Sequence, residues 1–79
     1  MKNELLEELA KEIAESGNKY EIIKEIKWFL EGHYTKTRFL ALLISNRLYK
    51  PEYDKVSEKL TNKDLLLKLY NLILKNINK

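Results

Sequence analysis

Apolar residues recur every three or four positions along almost the whole chain, the spacing that lines up side chains on one face of an α-helix. No alternating apolar–polar run of the kind a half-buried strand shows is present. The pattern predicts an all-α protein, a compact bundle of four to five helices with short connections. A first helix is expected from about Glu4 to Ser16, with Asn3 as N-cap, glutamates in the first turn and Gly17 free to take the left-handed conformation after its end. Its stripe of Leu5, Leu6, Leu9, Ala10, Ile13 and Ala14 is narrow and backed by a densely charged face, which places helix 1 on the outside of the bundle.

A second helix is expected from Lys19 to Glu31, with Ile22, Ile23, Ile26, Phe29 and Leu30 inward and Gly32 ending it. Trp28 falls off that stripe, roughly 240° around the helix from Ile22, on the flank of Glu21, Lys24 and Glu25. The neighbouring loop or the C-terminal helix is expected to cover it; left exposed, its aromatic bulk would be a binding anchor. The third helix starts near Thr35 or Thr37, either of which can cap it, and runs until Pro51 forces Lys50 out of the α region. Phe39, Leu40, Ala41, Leu42, Leu43, Ile44, Leu48 and Tyr49 surround most of its circumference, which marks helix 3 as the central helix or as one that faces another chain.

A short fourth helix, Pro51 to Leu60, has proline at the favoured first position and Tyr53, Val56 and Leu60 to bury. Thr61-Asn62-Lys63-Asp64 then resembles a capping box, with Leu60 and Leu65 at the staple positions, and opens a fifth helix from Asn62 to about Ile77. Its leucines and isoleucines cover roughly 220° of arc, more than one packing surface can take. A dimer is permitted but not required by this arc; the surplus apolar area on helices 3 and 5 tips the balance to a homodimer.

Length and composition narrow the classes of activity. Seventy-nine residues make one domain, and 15 leucines and 7 isoleucines are enough for one core. Without cysteine, there is neither a disulfide nor a Cys-based zinc site. The longest apolar run, Phe39 to Ile44, is far short of the roughly 20 residues a membrane span needs. The acidic, amphipathic start is unlike a secretory signal, and a soluble, cytoplasmic protein is expected.

The net charge of +3 is unevenly spread: residues 1–17 carry −3 and the rest +6. Residues 32–50 and 65–79 contain no acid, a distribution that suits contact with nucleic acid or an acidic protein and suits a plain soluble protein as well.

Candidate chemistry is sparse. His33 is the sole histidine, and beside a helix end it is expected to cap carbonyls of the preceding turn. With Glu31 it offers two metal ligands where zinc sites usually need three. Glu4, Glu8, Glu12 and Glu15 lie on the polar face of helix 1 and read as solvated charges. No catalytic residue, metal ligand or cofactor site is assigned, and an enzyme with a small-molecule substrate is not expected.

Two binding readings remain. Lys68, Asn71 and Lys75 form a polar stripe on helix 5, and Lys36, Arg38 and Arg47 lie in the acid-free stretch, so these six are the candidates for nucleic-acid contact. A solvated helix face explains the stripe equally simply, and the fourth helix would present Glu52, Asp54 and Glu58 to DNA if it served as a recognition helix. Surplus apolar area and the absence of chemistry favour a protein partner, met through Trp28, Tyr34, Tyr49, Leu67 and Leu74.

Leu30-Glu31-Gly32 at a helix end, the Leu-rich helix after it and the Leu69–Ile73 segment Leu-Tyr-Asn-Leu-Ile together resemble the four-helix immunity proteins that protect producers from pediocin-like bacteriocins. The likeness is one of periodicity across most of the chain. It implies a cytoplasmic protein whose C-terminal part helps to recognise a toxin–receptor complex. The sequence reading as a whole is a small non-enzymatic helical protein of regulatory, inhibitor or adaptor type.

Overall fold

The computed structural model describes residues 4–79, so the expected cap at Asn3 lies outside the described residues. Five helices follow in order: α1 Glu4–Ala14, α2 Lys19–Trp28, α3 Lys36–Ser45, α4 Tyr53–Lys59 and α5 Lys63–Ile77, with no strand among the described residues. The expected bundle is therefore the observed one. α2 runs on into a wide turn, Phe29–His33, which ends because Gly32 turns left-handed at φ 112°. Gly17, by contrast, does not take a positive φ; α1 ends instead on a Ser16 N–H to Ile13 carbonyl bond, and Ser16 Oγ accepts from the Asn18 N–H.

α1 and α5 are the most closely packed pair, joined through Leu6, Leu9, Ala10 and Ile13 on one side and Leu66, Leu69 and Ile73 on the other. α2 adds Ile22 and Ile26 against α5, and Phe29, Phe39, Leu43, Tyr53, Val56 and Leu60 complete one continuous core. Burying each such side chain contributes about 1.5–3 kcal/mol against the entropy of ordering the chain. The Cα radius of gyration, 11.1 Å, matches the about 11.6 Å expected of a fully collapsed chain of this length.

One placement matches expectation and one differs. α1 lies on the outside as expected: Leu6, Leu9, Ala10 and Ile13 are buried, Leu5 and Ala14 half-buried, and Glu4, Glu7, Glu8, Lys11 and Glu15 exposed, with Lys50 and Tyr53 reaching across to its polar face. α3 is not central: it buries only Phe39 and Leu43, while Ile44 is 59% exposed. It also stops at Ser45 rather than near Lys50. Ser45 Oγ and Asn46 Nδ2 both donate to the Leu42 carbonyl, and the Arg47 and Leu48 amides close back on Ile44 and Leu43. This is a Schellman end with Arg47, at φ 60°, in the place glycine usually takes. Leu48 and Tyr49 therefore leave the helix, and the apolar ring that suggested a central helix is divided between α3 and the segment after it.

The caps are those the sequence offers, with one shift. Thr35 Oγ1 accepts from the Arg38 N–H at the start of α3. At α5 the cap is Asn62, whose Oδ1 accepts from the Asp64 N–H; Thr61, expected to fill that place, donates to the Glu58 carbonyl instead. α4 begins at Tyr53, two residues after Pro51, which sits in the preceding turn.

Candidate functional site

α2 and α3 run side by side without packing closely, and between them lies an open cleft of about 520 Å³. Glu21, Lys24 and Glu25 form one wall; Arg38, Ala41, Leu42 and Ser45 form the other. Each set has the helical spacing i, i+3, i+4, and the α3 set extends to i+7, so each lines one helix face. Trp28 continues the α2 set by one turn.

Both ends of the cleft are tied. At one, Asn18 spends its side-chain amide on Asn46 Oδ1, 3.0 Å away, instead of capping its own helix. At the other, the Arg38 guanidinium carbon sits 5.2 Å from the Trp28 ring, and Arg38 Nη1 donates to the His33 carbonyl at 3.0 Å. The His33 imidazole, expected to cap carbonyls, lies flat against Trp28 at 4.5 Å between centroids and 9° between planes. Trp28 is thus partly covered by the neighbouring loop and by α3, and 39% of it still faces solvent at the rim. Among the described residues, Glu21, Lys24 and Glu25 form no ion pair, so their charges are available to a ligand.

The other residues singled out from sequence fall into separate places. Tyr34 is half-buried, its ring edge-on to Phe29 and its hydroxyl donating to the Ser57 carbonyl; burial pushes that hydroxyl well above the ordinary tyrosine range. Tyr49 is at the surface and donates to Asp54 Oδ1 at 3.0 Å, a bond that raises its pKa. Leu74 is half-buried, whereas Leu67 is 46% exposed.

Lys36 is held 2.9 Å from Glu58, which raises the lysine and lowers the carboxyl. Arg47 is exposed on the turn after α3. Lys68, Asn71 and Lys75 do come together, around a shallow depression of about 380 Å³ shared with Asp64, Leu67 and Leu72. Three of the six nucleic-acid candidates therefore share one surface, and Lys36 and Arg38 are engaged within the chain.

One polar cluster had no counterpart in the sequence pattern. Lys50 Nζ reaches Glu12 at 2.6 Å and Glu8 at 2.9 Å, and the buried Tyr53 hydroxyl donates to Glu12 at 2.9 Å. The hydrogen bonds that Lys50 donates to the two glutamates, Glu12 foremost, lift it above the usual lysine range, and Lys50 holds Glu8 below the usual carboxylate range. Tyr53 is raised first by burial and then by Glu12. Glu12, expected to be solvated, is half-buried and anchors this cluster, while Glu8 pairs with Lys50 and stays exposed as expected. The partners in the cluster lie 38 to 45 residues apart in sequence, beyond any local periodicity. Among the described residues, no group of three or more His, Cys, Asp or Glu side chains is placed to hold a metal ion, and no helix is long and apolar enough to cross a membrane.

No family model, curated protein or solved structure matches this chain.

Proposed function

We propose that this chain is a non-enzymatic binding protein of the cytoplasm, of regulatory, inhibitor or adaptor type, that takes an amphipathic helix of a protein partner into the cleft between α2 and α3. The observation that carries the reading is the cleft itself: two helices tied at both ends and left open between, with Ala41 and Leu42 inside and a half-exposed tryptophan at the rim. Helix-in-groove recognition needs an apolar floor for the ligand's stripe and flanking polar groups to set its direction. The flanking groups carry both signs, Glu21, Lys24 and Glu25 on α2 and Arg38 on α3; with Arg38 already held by Trp28 and the His33 carbonyl, the two glutamates favour a ligand whose apolar stripe is bordered by lysine or arginine. The likeness to immunity proteins is compatible with this mode, though it would place recognition nearer the C-terminus.

Trp28 is the only tryptophan, so its emission reports on the cleft directly. Titration with a synthetic 15-residue helix of leucines and lysines is expected to shift that emission. Glu21→Lys/Glu25→Lys should weaken binding at least about tenfold, the scale of losing two charge contacts at an interface. Trp28→Ala, followed by the change in mass on binding, should weaken it similarly. An unshifted spectrum, or binding indifferent to both variants, would remove the cleft as the site.

A further inference from the structure

We infer that the Asn18–Asn46 pair is a latch on this cleft: the Asn18 side chain has two places to bond, and a helix entering the cleft moves it from the first to the second. The inference rests on the cleft being a helix-binding site, and it adds how that site opens.

The two ends of the cleft are held differently. At the Trp28 end the chain itself joins α2 to α3 through the turn Phe29–His33, and both Arg38 and His33 lie against the Trp28 ring. At the other end the tie is a single exposed hydrogen bond, Asn18 Nδ2 to Asn46 Oδ1. Asn18 makes that bond instead of serving its own helix. It stands at the N-cap of α2, yet its side chain accepts from neither the Tyr20 nor the Glu21 amide, the two that a cap at this position serves. Its φ of −104° and ψ of 24° also lie outside the extended region of a capping residue.

Gly17, directly before it, has open space around it and leaves the backbone room to turn into that region. Asn18 thus chooses between two arrangements of comparable strength, a hydrogen bond across the cleft or a cap on α2. Asn46 has no such choice. Its Nδ2 is given to the Leu42 carbonyl at 2.8 Å, which leaves Oδ1 as the fixed half of the latch.

Length is what brings a ligand onto the latch. From Arg38 to Asn46 the cleft offers about 12 Å of α3 at 1.5 Å per residue, whereas a 15-residue helix is about 22 Å long. Two rings and a guanidinium close the Trp28 end, so a ligand whose leucines reach Ala41 and Leu42 overhangs the Asn18–Asn46 end. Its presence there favours the arrangement in which Asn18 turns back onto α2, a shift between two states that exist without the ligand.

The test uses the full chain and the 15-residue leucine–lysine helix, with Trp28 emission followed in stopped flow. Asn18→Ser keeps a capping oxygen and is too short to reach Asn46, so α2 is capped and the latch is gone. It should associate faster and bind up to about tenfold tighter, the scale of one hydrogen bond no longer broken on entry. Asn46→Asp keeps an acceptor for Asn18 and makes the bond charge-assisted. It should bind several-fold more weakly, although it adds a negative charge that a lysine-rich ligand favours. Without ligand, relaxation dispersion at the Asn46 side-chain amide and the Glu21 backbone amide should report exchange in the wild type and none in Asn18→Ser.

Equal affinities and association rates in all three proteins overturn the inference. So does a wild type without exchange at Asn46 and Glu21. If none of the three binds the helix, the reading of the cleft is lost together with the ligand's part in this inference, and the exchange signal alone decides whether Asn18 has two places.

Discussion

Arg47 occupies a backbone conformation that glycine takes without a steric penalty, φ 60° at the C′ position of α3. Its side chain is exposed, so nothing in the packing offsets the crowding of its Cβ. Arg47→Gly is therefore expected to stabilise the fold by about 0.5–1 kcal/mol, read as a higher urea midpoint at unchanged slope. Gly32 presents the mirror case: at φ 112°, with open space where a Cβ would stand, Gly32→Ala meets no neighbour and costs only conformational strain, about 1 kcal/mol. Gly32 was legible in the sequence because a glycine follows a periodic apolar run there. The turn at Arg47 was not, because arginine carries no local signal for left-handed backbone, and the reading let α3 run on to Pro51.

Among the elements, α1 depends on more than its stripe. Leu6, Leu9, Ala10 and Ile13 bury against α5, while Glu8 and Glu12 on the adjoining face hold the segment before α4 through Lys50 and Tyr53. Tyr53 is the buried member, and removing its hydroxyl deletes a hydrogen bond to a half-buried carboxylate. Tyr53→Phe should cost about 1 kcal/mol. Combined with Lys50→Met, it should be non-additive in a double-mutant cycle, since both act on Glu12; strict additivity would mean that the cluster is not one unit. The five helices were readable because the buried positions of each follow three-and-four spacing, and Thr35 announces its cap by type. What the pattern could not supply was pairing. Periodicity says that α1 has an apolar face and not that α5 covers it, and contacts between residues some 40 apart leave no trace in a window of one helix. The central role therefore went to α3, whose composition was the most apolar, although part of that composition belongs to the segment after Ser45.

At the scale of the whole molecule, the cleft was half legible. Trp28 stood out because it breaks the α2 stripe, but its wall of Glu21, Lys24 and Glu25 has the same pattern as any solvated flank, and only the distance between α2 and α3 distinguishes the two. Charge shapes the stability of the whole chain as well as its contacts. Glu8 and Glu58 are held below the usual carboxylate range by Lys50 and Lys36, so as the medium is acidified the unfolded chain takes up protons first. Their stabilisation is present above the ordinary carboxylate pKa of about 4 and disappears as pH falls through the lower folded values. Lys36, Lys50, Tyr34, Tyr49 and Tyr53 are all raised, so on the alkaline side the unfolded chain releases protons first. Their contribution is complete below about pH 10 and is lost as pH rises through the raised folded values. Urea midpoints should therefore be level between about pH 5 and 9 and fall on either side, with the acid limb shrinking in high salt because its ion pairs are exposed. The double variant Lys50→Met/Tyr53→Phe removes two of the alkaline groups and should visibly flatten that limb. An alkaline limb as steep as that of the wild type would show that these two groups titrate alike in the folded and unfolded chain, and that the cluster under α1 contributes packing and no electrostatic hold.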